Sequence, residues 1–272
     1  MNSEHVLAQI VLRSWPFQRG VSRIMNTFFP NTTFEELTCW VKTRDGVSLK
    51  VFPNDLLGRH LYLTGEYERS VLDVLYKLSR PGDVLLDIGA NLGYVSACFL
   101  QNVANSNAIA VEPQQGVLAL LRENLAQFPS RSQIFSVAIS DREGTARFAI
   151  NPSNLGNARI VPDGADGIDV QTVTGNQLLG QIDKVDLVKI DVEGHEEQVI
   201  DSCKDDFARL RPRAILFEEG GAKAAPDGTI GRTFTDLGYE MFAIHKRMLG
   251  HSIEKLEHRD DCTCDNYLAV LK

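Results

Sequence analysis

The sequence predicts a doubly wound α/β protein, in which a mostly parallel seven-stranded sheet is closed by a final antiparallel strand and carries a small N-terminal extension. Three observations support this. Apolar runs alternate with amphipathic stretches from about residue 70 onward. The runs are hydrophobic throughout rather than at every second residue, as in strands covered on both faces. The last two, "YEMFAIH" (239–245) and "NYLAVLK" (266–272), have no good helix between them. As sheet neighbours they must therefore pair antiparallel.

Along the chain, "MNTFFPNTTFEELTCWVKTRDGVSLKVFPND" suggests a helix and then a small hairpin around Asp45-Gly46, a good two-residue turn. Residues 1–65 are read as an extension over the sheet, serving as a lid or as a contact in a homo-oligomer, and residues 66–272 as the main domain. Strands are expected over 83–90, 108–113, 134–140, 186–192 and 214–220. Between them, Val117, Leu120, Leu121 and Leu125 share one helix face, and Val199, Ile200, Cys203, Phe207 and Leu210 share another. Strand–helix alternation of this kind gives right-handed crossovers and an open sheet. The stretch "NPSNLGNARIVPDGADGIDVQTVT" reads as a long irregular insertion, more often functional than idle.

The net charge of −8 argues against nucleic acid and anionic membrane surfaces as partners, because phosphates need clustered Lys and Arg. No run reaches 18 apolar residues and the N-terminus lacks a basic leader, so a membrane span and a signal peptide are not expected. Five cysteines, an odd number, fit reduced thiols and a cytoplasmic location. Cys262 and Cys264 are one residue apart, closer than zinc sites usually space them, and are read as loop cysteines rather than metal ligands with His251 or His258.

The functional signal begins at "VLLDIGANLGYVS" (84–96), where an apolar run ends on Asp87 and turns through Gly89, Asn91 and Gly93. Glycines there let the backbone bend and approach a ligand. A dinucleotide fingerprint would need a third glycine, and none completes the pattern. A carboxylate at this strand end would also repel a pyrophosphate. It suits a ligand with an amino group and no phosphate, such as S-adenosylmethionine. Glu112, with Pro113 beside it, ends the next strand, where an acid takes ribose hydroxyls in nucleotide folds. Ala138, a small apolar residue before a turn, would admit an adenine ring. Tyr94 completes the cofactor candidates.

These segments, with "AVEPQQ", "VAISDREGTARF" and above all "DLVKIDVEGHEEQVI", resemble the FkbM family of S-adenosylmethionine-dependent methyltransferases. The lead-in with Gly65, Tyr67 and Glu68 and the closing "NYLAVL" are also similar, so the resemblance covers roughly residues 60–272. It implies a Rossmann-like class I methyltransferase fold, S-adenosylmethionine as cofactor, S-adenosylhomocysteine as product, and a small-molecule acceptor.

Methyl transfer to a hydroxyl needs positioning and a base. "KIDVEGHEE" supplies Asp191, Glu193 and His195 at a strand's carboxyl end, where open sheets bind ligands. His195 is the candidate general base, with Asp191 or Glu193 orienting it or the acceptor; a purely structural histidine is the competing reading. Lys189, within the strand, is expected to pair with an acid. Glu218, Asn154 and Asn157 are candidate acceptor contacts. No metal is assigned; Mg²⁺ held by Asp191, Glu218 and Glu219 is the alternative to direct hydrogen bonding by Glu218. The expected reaction is O-methylation of a sugar or glycosylated natural product. N-methylation of an amine or amide is the alternative, and an NAD-linked oxidoreductase a remote one.

Overall fold

A computed structural model of the chain describes residues 3–15, 20–29, 34–151, 154–162 and 164–272, without the side chains at 3, 4, 154, 156 and 157. Two helices, α1 (Ser3–Arg13) and α2 (Val21–Phe28), precede a hairpin of β1 (Cys39–Lys42) and β2 (Ser48–Val51). The hairpin turns through Asp45-Gly46, with Gly46 at φ +84°. Asp55 then caps α3 (Leu56–Thr64), its Oδ2 accepting from the amides of Leu57 and Gly58. α4 (Arg69–Leu78) follows. Ala8, Leu12, Met25, Val41, Leu49 and Leu61 are buried in one cluster with Leu72, Leu85 and Leu216. The first helices and hairpin therefore share a core with the sheet.

The sheet begins with β3 (Val84–Ile88), α5 (Tyr94–Asn102), β4 (Asn107–Val111), α6 (Gln115–Leu125) and β5 (Ser132–Phe135). Next come β6 (Ala138–Ile139), β7 (Gly144–Asn151), β8 (Asn154–Val161), β9 (Ile168–Val173) and α7 (Gly175–Leu179). The chain closes with β10 (Leu187–Ile190), α8 (Glu196–Leu210), β11 (Ala214–Glu218), α9 (Thr229–Asp236), β12 (Tyr239–Lys246), β13 (His251–Lys255) and β14 (Asn266–Leu271). The main sheet has the order β13-β12-β14-β11-β10-β3-β4-β5. The strands β5, β4, β3, β10 and β11 run parallel, and β14 pairs antiparallel with both β11 and β12. The class inferred from the sequence, a doubly wound sheet closed by an antiparallel strand, is the one observed.

Three details differ from the sequence expectation. The sheet has eight strands rather than seven, because "HSIEK" adds β13 at the edge, paired with β12. It turns back through Arg247, whose amide bonds the Gly250 carbonyl at 2.9 Å. Its polar composition suits an edge strand but hides it from an apolar-run search. The run 134–140 is not one strand: β5 ends at Phe135, and Ala138-Ile139 leaves to pair with β9. The stretch read as irregular is largely strand, in a second sheet of order β6-β9-β7-β8.

Successive strand residues face opposite layers. Leu85, Ala108 and Leu187 join the layer of α4, α5 and α6, whereas Leu86, Ile109 and Val188 join that of α7, α8 and α9. The carboxyl ends of β4, β3, β10 and β11 meet at one rim. Gly89, at φ +80°, lies so close to β10 that an added Cβ would sit 1.8 Å from the Asp191 carbonyl oxygen. Gly89→Ala is expected to destabilise the protein by at least ~2 kcal/mol in denaturant unfolding, because left-handed strain and a backbone clash add. Gly194→Ala, at φ +93° with nothing within 4 Å, should lose only ~1 kcal/mol. Equal losses would contradict this account of the rim.

Candidate active site

The rim opens into a cleft of about 1230 Å³, counting its mouth. Gly89, Asn91, Tyr94, Glu112, Pro113, Ala138, Asp191, Glu193, His195 and Glu218 all line it. Strand spacing separates its ends: Glu112 follows β4 and Glu218 ends β11, three strand intervals or about 14 Å apart.

At the first end Glu112 is nearly buried, 6% exposed. Its Oε2 accepts from the Asn91 amide at 2.9 Å and its Oε1 from the Gln114 amide at 2.8 Å. Each oxygen keeps a further lone pair. Burial pushes the carboxyl up to about 7, against the pull of those two amides. Beside it the Gln114 side chain, 2% exposed, lines the cleft with its Nε2 unpartnered. A pair of adjacent hydroxyls fits this cradle, as acceptor oxygens and one donor stand together. Val137, Ala138, Ile139 and Pro113 make the apolar wall next to it.

Between the ends stands Lys189, directly opposite Asp87 in the β10–β3 register. Its Nζ lies 3.0 Å from Asp191 Oδ2 and 3.7 Å from Asp87 Oδ1, and donates to the Gly89 carbonyl at 3.2 Å. The expected pairing of this lysine with an acid is thus observed. It also corrects the reading of Asp87. That side chain is fully buried, accepts from Ser96 on α5 at 2.7 Å, and does not line the cleft. Two residues from Leu85, it faces the α5 layer, so its charge meets Lys189 rather than a ligand. Gly93 is also set back: it starts α5 in the left-handed conformation and packs against Leu121. Tyr94 lines the cleft, but its hydroxyl accepts from the Tyr67 amide at 3.1 Å and fixes the approach to α4.

At the far end four carboxylates gather. Glu68, Asp191 and Glu218 bring oxygens within 4.8 Å of one another, close enough to share a cation. Glu68 takes the place expected for Glu219, whose Oε2 accepts from the Lys223 amide instead. Burial first, then Asp191 and Glu68, push the Glu218 carboxyl up to about 8. Burial, then Asp191 and Glu196, push Glu193 up to about 7. Glu68 is raised by burial and by Asp191. Glu68, Asn91 and Glu193 hold φ of 45°, 49° and 54°, so three non-glycine residues of this cleft adopt the left-handed region. Such strain clusters at functional sites.

His195 lies half-buried on the cleft wall just before α8. Its Nε2 is 3.1 Å from the Ser140 hydroxyl, which donates to Asp141 at 3.1 Å. The single serine proton being spent on Asp141, Nε2 carries hydrogen and Nδ1 keeps the lone pair. Burial lowers the imidazole's pKa, partly offset by Asp141, so it is neutral at pH 7. Ser140, rather than Asp191 or Glu193, orients the ring. Glu196, unremarked in the sequence, closes the loop by accepting from the Val192 and Gly194 amides. Asn154 and Asn157 belong to β8 by backbone, but their side chains lie outside the described residues.

An open α/β sheet binds its ligand in a crevice outside the carboxyl ends of its strands, which is where this cleft lies. Residues 87–243 match the Methyltransferase FkbM domain, over half of the chain, and the protein belongs to that family. Over 136 residues it is 30% identical to the hexuronic acid methyltransferase AglP of Haloferax volcanii, covering 49% of this chain and 55% of that protein. Over 155 residues it is 29% identical to the 2-O-methyltransferase NoeI of Sinorhizobium fredii, covering 49% of this chain and 63% of that protein. The chain thus spans less than two thirds of either relative's length. Among solved structures, a precorrin-6y C5,15-methyltransferase from Geobacter metallireducens aligns with a TM-score of 0.44 and 17% identity, over 75% of this chain and 90% of that one.

The raised carboxyls set a pH dependence. Glu218, with a folded pKa of about 8 against an unfolded value near 4.5, stays protonated where the unfolded chain has ionised. The unfolded state then binds fewer protons, so stability falls as pH rises through that window. Without ligand, the midpoint in urea should drop between pH 5 and 8. Glu218→Gln should flatten that slope and raise the midpoint at pH 8; an unchanged slope would count against the acid cluster.

Proposed function

We propose that the protein transfers a methyl group from S-adenosylmethionine to a hydroxyl of a sugar-like small molecule. The observation that carries this is the charge of the cleft. Carboxylates line both ends, and among the described lining residues the one cation, Lys189, is committed to Asp191 and Asp87. A phosphate-free nucleoside bearing positive charge draws these raised carboxyls into their ionised form and is favoured, whereas a diphosphate meets no unpaired cation among the described lining residues. Family membership and the names of the two relatives support the same reading.

When bound, S-adenosylmethionine supplies a methyl group already activated on a sulfonium. Glu112 and Gln114 would hold its ribose, and Pro113, Val137 and Ala138 its adenine. Glu68, Glu193 and Glu218 would face its positive end. His195 Nδ1 would accept the acceptor's hydroxyl proton, because the ring is neutral and its Nε2 is anchored on Ser140.

His195→Ala should lower kcat by about 10²–10⁴-fold while leaving cofactor binding intact. Undiminished turnover would remove it as the base. Binding should also be proton-linked. A cation near Glu218 pulls its carboxyl below about 8, so S-adenosylmethionine should release protons at pH 7.5, and S-adenosylhomocysteine, which lacks the sulfonium charge, fewer. Calorimetric enthalpies should therefore differ between Tris and phosphate for the first ligand. Equal enthalpies in both buffers for both ligands would refute the placement of the charge.

A further inference from the structure

A second cavity of about 970 Å³ lies beyond the acid end of the cleft, between α2, α3 and the start of α4. Tyr67 and Glu68 line both cavities, so the two adjoin there. The second also continues the rim. β12 runs in the same direction as β11, both being antiparallel to β14, so Lys246 at its end stands farther along the same edge and lines the cavity.

Three features indicate what it holds. Ser70 lines it and is 1% exposed, and its hydroxyl has no hydrogen-bond partner among the described residues. α4 starts there without a side-chain cap, because Glu68 turns its carboxyl to the acid cluster. Donors are thus unspent where a buried polar group normally has a partner. Among the described charged residues that line it two acids meet two cations: Glu66 pairs with Arg44 at 3.1 Å, Arg69 with Asp45 at 2.9 Å and Asp73 at 2.7 Å, and Lys246 faces Glu68 at 3.9 Å. His60 adds no charge, since burial, Arg59 and Lys246 lower its pKa to about 4. Val21, Leu56 and the His60–Tyr67 edge contact at 5.5 Å supply an apolar side.

We propose that this cavity is the acceptor subsite and takes a neutral, polyhydroxylated ring; the assignment rests on reading the cleft as the S-adenosylmethionine site. Displacement at a sulfonium methyl is in line, so the acceptor must approach from the side away from the sulfur. Beyond Glu68 and Tyr67 is this cavity. Unspent donors, carboxylate acceptors and an apolar wall are what a ring of hydroxyls and C–H groups needs.

The test uses the full chain saturated with S-adenosylhomocysteine, titrated with methyl β-D-glucopyranoside and, in parallel, sodium glucuronate, with backbone amide shifts followed by NMR. The glucoside should shift the amides of His60 and Ser70. Ser70→Ala should weaken its binding roughly three- to tenfold, the loss of one neutral hydrogen bond, with the S-adenosylhomocysteine heat unchanged. No response to the glucoside, shifts confined elsewhere, a response to glucuronate alone, or wild-type affinity in Ser70→Ala would overturn the subsite. Absence of the S-adenosylhomocysteine heat in the wild-type protein would instead overturn the reading beneath it.

Discussion

Lys189 sits in the middle strand of the sheet, 7% exposed, with its ammonium shared between Asp191, Asp87 and the Gly89 carbonyl. A lysine this deep is tolerable only because two acids and a carbonyl receive it. The converse holds for Asp87, which has no exposure and no other positive partner among its described contacts. The arrangement ties β3 to β10 below the rim. Above it, the lysine's charge is already used. Beyond it, burial first and then neighbouring acids, Asp191 foremost, raise the carboxyls of Glu193 and Glu218. The cleft is therefore short of positive charge where a ligand can supply it.

The backbone at the rim is strained in the same places. Glu68, Asn91 and Glu193 hold left-handed φ angles, each in a loop that touches the cleft. The loops are held by backbone amides bonded to carboxylates: Asn91 to Glu112, and Val192 and Gly194 to Glu196. Acids here thus have two uses. Glu112 spends one lone pair per oxygen on the loop and keeps another for a ligand, whereas Glu196 is consumed by its loop. The β7–β8 hairpin adds a cover, since Leu155 lines the cleft and its amide is bonded to Asp55 at the start of α3.

Much of this was legible in the sequence where apolar runs mark buried strands. β3, β4, β10, β11, β12 and β14 fall where the runs place them. β13 was not legible, because an exposed edge strand has no need of apolar residues. The split between β5 and β6 was not, because a continuous run does not say which sheet each half joins. At the site, Glu112, Ala138, Asp191, Glu193, His195 and Glu218 do converge on one cleft. Asp87 misled because proximity to the turn suggested the rim, while the period of two along β3 turns it to α5. Glu68 stood out only as part of the lead-in, without a role at the site: it arrives from before β3, and no local spacing connects it with Asp191. Ser140 and Gln114 were hidden for a similar reason, as their roles depend on what the fold sets beside them.

The central claim is that a sheet rim whose only lining cation among the described residues is already paired selects a positively charged, phosphate-free nucleoside. Calorimetry of the same preparation with S-adenosylmethionine and with NAD⁺ tests it most directly. The account predicts saturable heat with the first and none with the second. Heat with NAD⁺ and silence with S-adenosylmethionine would contradict it.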